Sequence, residues 1–165
     1  MNLLELPVIR RTRRNHGLEH ATIHILSSRF RGLSIAGRST PNGFYIFGNL
    51  SADDIASAAD DALKRMRGGE QHLAVHPTCG TNYLTSGTFA GLAAFAALSV
   101  GGRSRWERLP NAIMAATFAL ILAAPVGPLL QARVTTSGEM ADLEILSVRE
   151  LPGHVSTHYV KTRSS

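Results

Sequence analysis

Leu84-TSGTFAGLAAFAALS-Val100 and Leu109-PNAIMAATFALILAAPVGPLLQ-Ala132 are two runs without a charge, of seventeen and twenty-four residues. Crossing a bilayer takes roughly 17–25 predominantly apolar residues, so the second run qualifies and the first lies at the short end. Gly87 and Gly91 give the first run a small-xxx-small face, which lets helices approach closely. The link Gly101–Arg108 fits a tight turn with Trp106 at the interface. The pair predicts an antiparallel transmembrane helical hairpin over residues 84–132. The competing reading is a buried helical pair, with Pro125 and Pro128 kinking or ending the second helix. Three Arg in the link against five Lys or Arg in the two flanks leave the orientation open, with the positive-inside rule leaning toward both termini, and whatever site they carry, on the cytoplasmic side of the cell (inner) membrane.

Before the hairpin, residues 1–83 read as a small α-β-β-α region. Asn15 to Phe30 has helical spacing of Leu18, Ile23, Ile25 and Leu26, with Asn15 as the expected cap. Leu33–Ala36 and Phe44–Phe47 are short apolar runs joined by Arg38-Ser-Thr-Pro-Asn-Gly43, which is strong turn chemistry and predicts a β-hairpin. Ser51 caps a second helix that runs to Arg67, with Asp53 and Asp54 in its first turn and Gly68-Gly69 stopping it. Residues 133–165 read as a polar C-terminal segment. The whole is an α+β membrane protein.

Net charge is +5, from fifteen Arg and two Lys against twelve carboxylates. The densest basic run, Arg10 to Arg14, has no interleaved aromatics and precedes a helix. It predicts contact with anionic lipid headgroups and no nucleic-acid partner. The lone Cys79 excludes an intrachain disulfide and leaves a thiol for ligation.

The chemistry concentrates in Asn15-His-Gly-Leu-Glu-His-Ala-Thr-Ile-His24. His16 and His20, four apart, share one helix face and are spaced to grip one divalent cation. Glu19 completes His-x-x-Glu-His, the inverted zincin pattern, as general base on a metal-bound water. His24 continues the stripe as a further ligand or oxyanion stabiliser. His76-Pro-Thr-Cys-Gly-Thr81, with His76 and Cys79, supplies partner ligands on a turn at the foot of the first apolar run. Imidazole with thiolate favours zinc; iron, copper and nickel are also compatible. Three protein ligands with one open position would be catalytic, and four would be closed and structural. His154 and His158 are four apart, but Pro152-Gly153 precedes them and no helix is expected to hold them as ligands.

Three segments together resemble the YqhQ-like family of bacterial membrane proteins, or a related offshoot of unknown function. They are His16 to His24, then His76-Pro-Thr-Cys-Gly-Thr-Asn82, then Leu130-Gln-Ala-Arg-Val-Thr-Thr136 with Leu143-Glu-Ile145. The likeness is close over 15–25 and 76–84 and looser over 130–145. It departs at Ala21, where that family has Lys, and at Asn82, where Ser is frequent. The chain is also shorter, with fewer expected spans. The resemblance implies a metal-dependent enzyme of unknown reaction, with His16, Glu19, His20, His24, His76, Cys79, Thr135 and Thr136 at its site. The expected function is a membrane-anchored metal-dependent hydrolase, a peptidase among the options. The alternative is a non-catalytic adaptor or assembly factor with a structural metal. The expected partners are the lipid bilayer and a membrane protein or second copy meeting Gly87 and Gly91.

Overall fold

The computed structural model describes residues 3–100, 104–153 and 156–164. They form two compact units, residues 1–76 with 132–165 and residues 77–131. The first is an α+β unit, with helices α1 (Pro7–Arg29) and α2 (Ala52–Arg67) and strands β1 (Ala36–Thr40), β2 (Gly43–Phe47), β3 (Glu144–Leu151) and β4 (Thr157–Arg163). All pairings are antiparallel, in the order β1-β2-β4-β3.

Helix α1 starts nine residues earlier than the Asn15 cap implies. Pro7 stands in its first turn, where a missing N–H costs nothing, and Leu6 occupies the cap position. Asn15 is instead buried in mid-helix. Its Nδ2 donates to the Thr40 carbonyl at 2.9 Å, and its Oδ1 accepts from the Thr162 hydroxyl at 2.7 Å. One amide thus ties α1 to two strands. Two members of the Arg10–Arg14 run, Arg13 and Arg14, make long-range bonds. Arg13 donates to the carbonyls of Arg133 and Thr136, at 3.1 and 3.2 Å. Arg14, nearly fully buried, donates to the Glu139 carbonyl at 2.7 Å and pairs with Asp142. These two guanidiniums clamp the returning chain onto α1.

The β1–β2 hairpin turns at Pro41-Asn42, with Thr40 opposite Gly43. Ser51 caps α2, its hydroxyl accepting from the Asp54 N–H at 3.1 Å. Small residues Ala58, Ala59 and Ala62 line the buried stripe of α2. They let it close on Leu18, Ala21, Ile25 and Leu26 of α1, in a core shared with Phe44, Ile46 and Val160 of the sheet. The segment expected as a polar tail is the sheet's other half. Pro152-Gly153 follows β3, and β4 alternates buried His158, Val160 and Thr162 with outward Tyr159, Lys161 and Arg163. His154 lies outside the described residues.

The second unit holds α3 (Gly80–Ser99), α4 (Arg105–Ala123) and the short α5 (Val126–Leu130). Helix α3 packs along α4, and Arg108 donates to the Leu98 carbonyl at 2.7 Å. Among the described residues no single helix is long and apolar enough to cross a membrane. In α3 the residues Asn82, Thr85, Ser86 and Thr88 dilute the apolar run. The second run breaks where Pro125 and Pro128 remove backbone donors. Trp106–Ala123 and Val126–Thr135, bent by 46°, together reach the needed length and composition. Of the expected link Gly101–Arg108, residues 101–103 lie outside the described residues.

Candidate metal centre

Four imidazoles converge in the first unit. His16, His20 and His24 rise one turn apart along α1. After α2 a 3-10 turn, Gln71–Ala74, leads through Val75 to His76. Ring centroids lie 4.4 Å apart for His16 and His20, 5.7 Å for His20 and His76, and 4.4 Å for His24 and His76. His76 therefore fills the gap between two rings of the helix stripe.

Three of the rings are oriented by backbone carbonyls. His16 Nδ1 meets the Thr135 carbonyl at 2.9 Å, His20 Nδ1 meets that of Ala74 at 2.7 Å, and His24 Nε2 meets that of Val75 at 2.9 Å. A carbonyl only accepts, so each of these nitrogens carries the proton. In the neutral ring the lone pair then belongs to Nε2 of His16, Nε2 of His20 and Nδ1 of His24. This is how metal-ligating histidines are usually set, with the second nitrogen bonded to a carbonyl or carboxylate. Candidate donor nitrogens of His16 and His20 lie within 4.8 Å of one another. Partial burial, helped by neighbouring His24 and His20, holds the His76 imidazole down at about 4. At neutral pH it is an uncharged base, the form a metal requires.

Gly17, between His16 and His20, has a packing reason. A Cβ there would overlap the Ser137 carbonyl oxygen and stand 3.3 Å from the Ala74 Cβ. Its absence brings α1 against both segments whose carbonyls hold His16 and His20. Glu19 is buried and turned toward β1. The Ser39 hydroxyl donates to its Oε2, and the carboxylate rests where a Cβ on Gly37 would be. Thr135 and Thr136 act through their backbones, receiving His16 and Arg13. Cys79 is buried, at the N-cap position of α3 in the second unit. His158 is buried on β4 and does not join the four rings.

Sequence reasoning did not find Ser39, Gly37 or the carbonyls of Ala74, Val75 and Thr135. The carbonyls carry no side-chain signature. Ser39 sat in a run legible only as turn chemistry.

A family model described as a domain of unknown function (DUF6391) matches residues 11–148, and the chain belongs to that family. The match spans His16, Glu19, His20, His24, His76 and Cys79. An uncharacterized protein of Picosynechococcus sp. (strain ATCC 27264 / PCC 7002 / PR-6) is 34% identical over 163 residues, covering 92% of this chain and 78% of that protein. No solved structure matches.

Proposed function

We propose that this protein is a membrane-anchored metal-binding protein whose histidine cluster holds a divalent cation, zinc foremost, for hydrolytic chemistry. The observation that carries the reading is the fixed tautomer of three clustered imidazoles, each bonded through one nitrogen to a backbone carbonyl. His16 and His20, whose candidate donor nitrogens lie within 4.8 Å of one another, are the donor pair, and His76 and His24 are the neighbouring imidazoles of the same unit. Cys79, three residues after His76, joins them. The likeness of these motifs to the YqhQ-like family supports the same assignment.

Bound zinc would supply Lewis-acid polarisation and a water of lowered pKa. Glu19 is the residue to take the proton. It lies one residue before His20 on α1, it is shielded from bulk water, and the Ser39 hydroxyl fixes its carboxylate. Anchoring rests on the second unit, where Leu84, Leu92, Phe95, Ile113, Phe118 and Leu122 are all exposed. So much apolar surface is unfavourable in water and favourable against lipid or another helix. A Cβ at Gly87 or Gly91 would meet nothing among the described residues. That face suits lipid or a second helix.

One observation favours a structural metal instead: His20 is buried, and two imidazoles joined by two more protein ligands would close a tetrahedral site. Cobalt-substituted protein separates the two readings. An open position shifts the visible spectrum when azide is added, and a closed one does not. For catalysis, Glu19→Gln should keep the metal and lose turnover on a fluorogenic peptide panel. Full turnover in that variant would remove Glu19 from the base role.

A further inference from the structure

The sheet has a second face, turned away from α1 and α2, and its composition is unlike the rest of the surface. Register places Arg38 opposite Tyr45, Tyr45 opposite Tyr159, and Tyr159 opposite Arg149. One row thus crosses all four strands as Arg-Tyr-Tyr-Arg. Neighbouring rows add Phe47 beside Thr157 on one side and Lys161 on the other. The rings form one cluster, with centroids 4.8 Å apart for Tyr45 and Tyr159 and 6.3 Å for Tyr45 and Phe47, the latter pair nearly parallel. The Arg149 guanidinium lies 5.9 Å from the Tyr159 centroid. A shallow depression of about 340 Å³, lined by Arg38, Thr40, Tyr45, Phe47 and Thr157, opens over the middle of this face.

The charge is one-sided. Glu144 is the outward carboxylate nearby, and Arg163 pairs with it at 2.6 Å. Arg38, Arg149 and Lys161 form no ion pair among the described residues. The face therefore offers aromatic surfaces between cations, and Glu150, exposed on β3, stands opposite buried His158 on the alternate side of the strand.

We propose that this face binds single-stranded nucleic acid, with bases stacked on Tyr45, Tyr159 and Phe47 and phosphates met by Arg38, Arg149 and Lys161. Stacking accepts any base because every base has a π face, and the cations track the backbone. A duplex hides its base faces and cannot use the tyrosines. The expectation of no nucleic-acid partner rested on Arg10 to Arg14, and this proposal departs from it. This face is assembled from four separate strands and is independent of the histidine cluster.

The test uses the full chain in mild detergent and fluorescence anisotropy with labelled ten-nucleotide oligouridylate, its DNA counterpart and a duplex of equal length. Single strands should bind more tightly than duplex, and Tyr45→Ala or Tyr159→Ala should weaken them about tenfold or more. Tyr45→Phe should retain binding, since the ring does the stacking. An unchanged melting temperature in each variant shows that the fold is intact. Absence of single-strand binding would overturn the proposal, as would equal duplex binding with no effect of the tyrosine changes. Vesicles of phosphatidylglycerol form the competing arm. Tyrosine-dependent binding to vesicles without binding to oligonucleotides would assign the face to headgroups and overturn the proposal.

Discussion

Gly17→Ala should destabilise the protein, against its intrinsic helix preference. In an open helix the exchange gains about 1 kcal/mol. Here the new methyl would overlap the Ser137 carbonyl oxygen, with the Ser137 carbonyl carbon at 3.1 Å and the Ala74 Cβ at 3.3 Å. A methyl needs roughly 3.3 Å or more from such an oxygen, so α1 and the returning segment must part by about 1 Å. Overpacking of this kind costs about 1–3 kcal/mol. The same movement strains two bonds, Ser137 N–H to the Arg13 carbonyl at 2.9 Å and His16 to the Thr135 carbonyl. Each is worth about 1 kcal/mol. The net is a loss of about 2–4 kcal/mol, or a fall in Tm of roughly 5–12 °C for a chain of this size. Urea or thermal unfolding in detergent, followed by circular dichroism, measures it. Metal affinity should fall in parallel because His16 loses its orienting carbonyl. A neutral or stabilised Gly17→Ala variant would refute the packing argument and leave Gly17 as merely tolerated.

In metal-free protein the His76 imidazole sits at about 4 against an ordinary 6.5, so the unfolded chain takes the proton first as pH falls. Its contribution to stability is complete above about 6.5 and is lost as pH falls from there toward 4. The urea midpoint measured in chelator should drop across that window, and His76→Gln should remove that part of the slope; an identical slope in the variant would assign it to other groups. The chain has one tryptophan, Trp106, and it is 81% exposed on α4. Reconstituted into vesicles with brominated acyl chains, it should be quenched, whereas unquenched emission would count against lipid contact by this helix. Ser51→Ala should cost about 1 kcal/mol through loss of the α2 cap, read as a lower urea midpoint at unchanged metal content.

Local signals were legible where local chemistry decides. Ser51 and Gly68 bound α2 as their residue types imply, whereas of the expected Arg38–Gly43 turn only Pro41-Asn42 turns the chain, and Arg38, Ser39 and Thr40 pair within β1 in place of the expected Leu33–Ala36 run. The histidine stripe was legible because His16, His20 and His24 share one helix. What long-range bonds decide was hidden. Asn15 reads as a cap until Thr40 and Thr162, distant in sequence, claim its amide. Arg13 and Arg14 read as a basic surface until the carbonyls of Arg133, Thr136 and Glu139 fill their donors. Strand β4 reads as tail because its outward residues are polar, although Tyr159, Lys161 and Arg163 alternate with His158, Val160 and Thr162. The second apolar run reads as one span until Pro125 and Pro128 bend it.

The central claim is a metal held by the α1 histidines and His76. Elemental analysis of protein purified in mild detergent without added chelator tests it directly. Close to one equivalent of zinc or another divalent transition metal per chain is expected, lost in His16→Ala/His20→Ala. Wild-type protein that is folded, stable to chelator and no richer in metal than the double variant would contradict it.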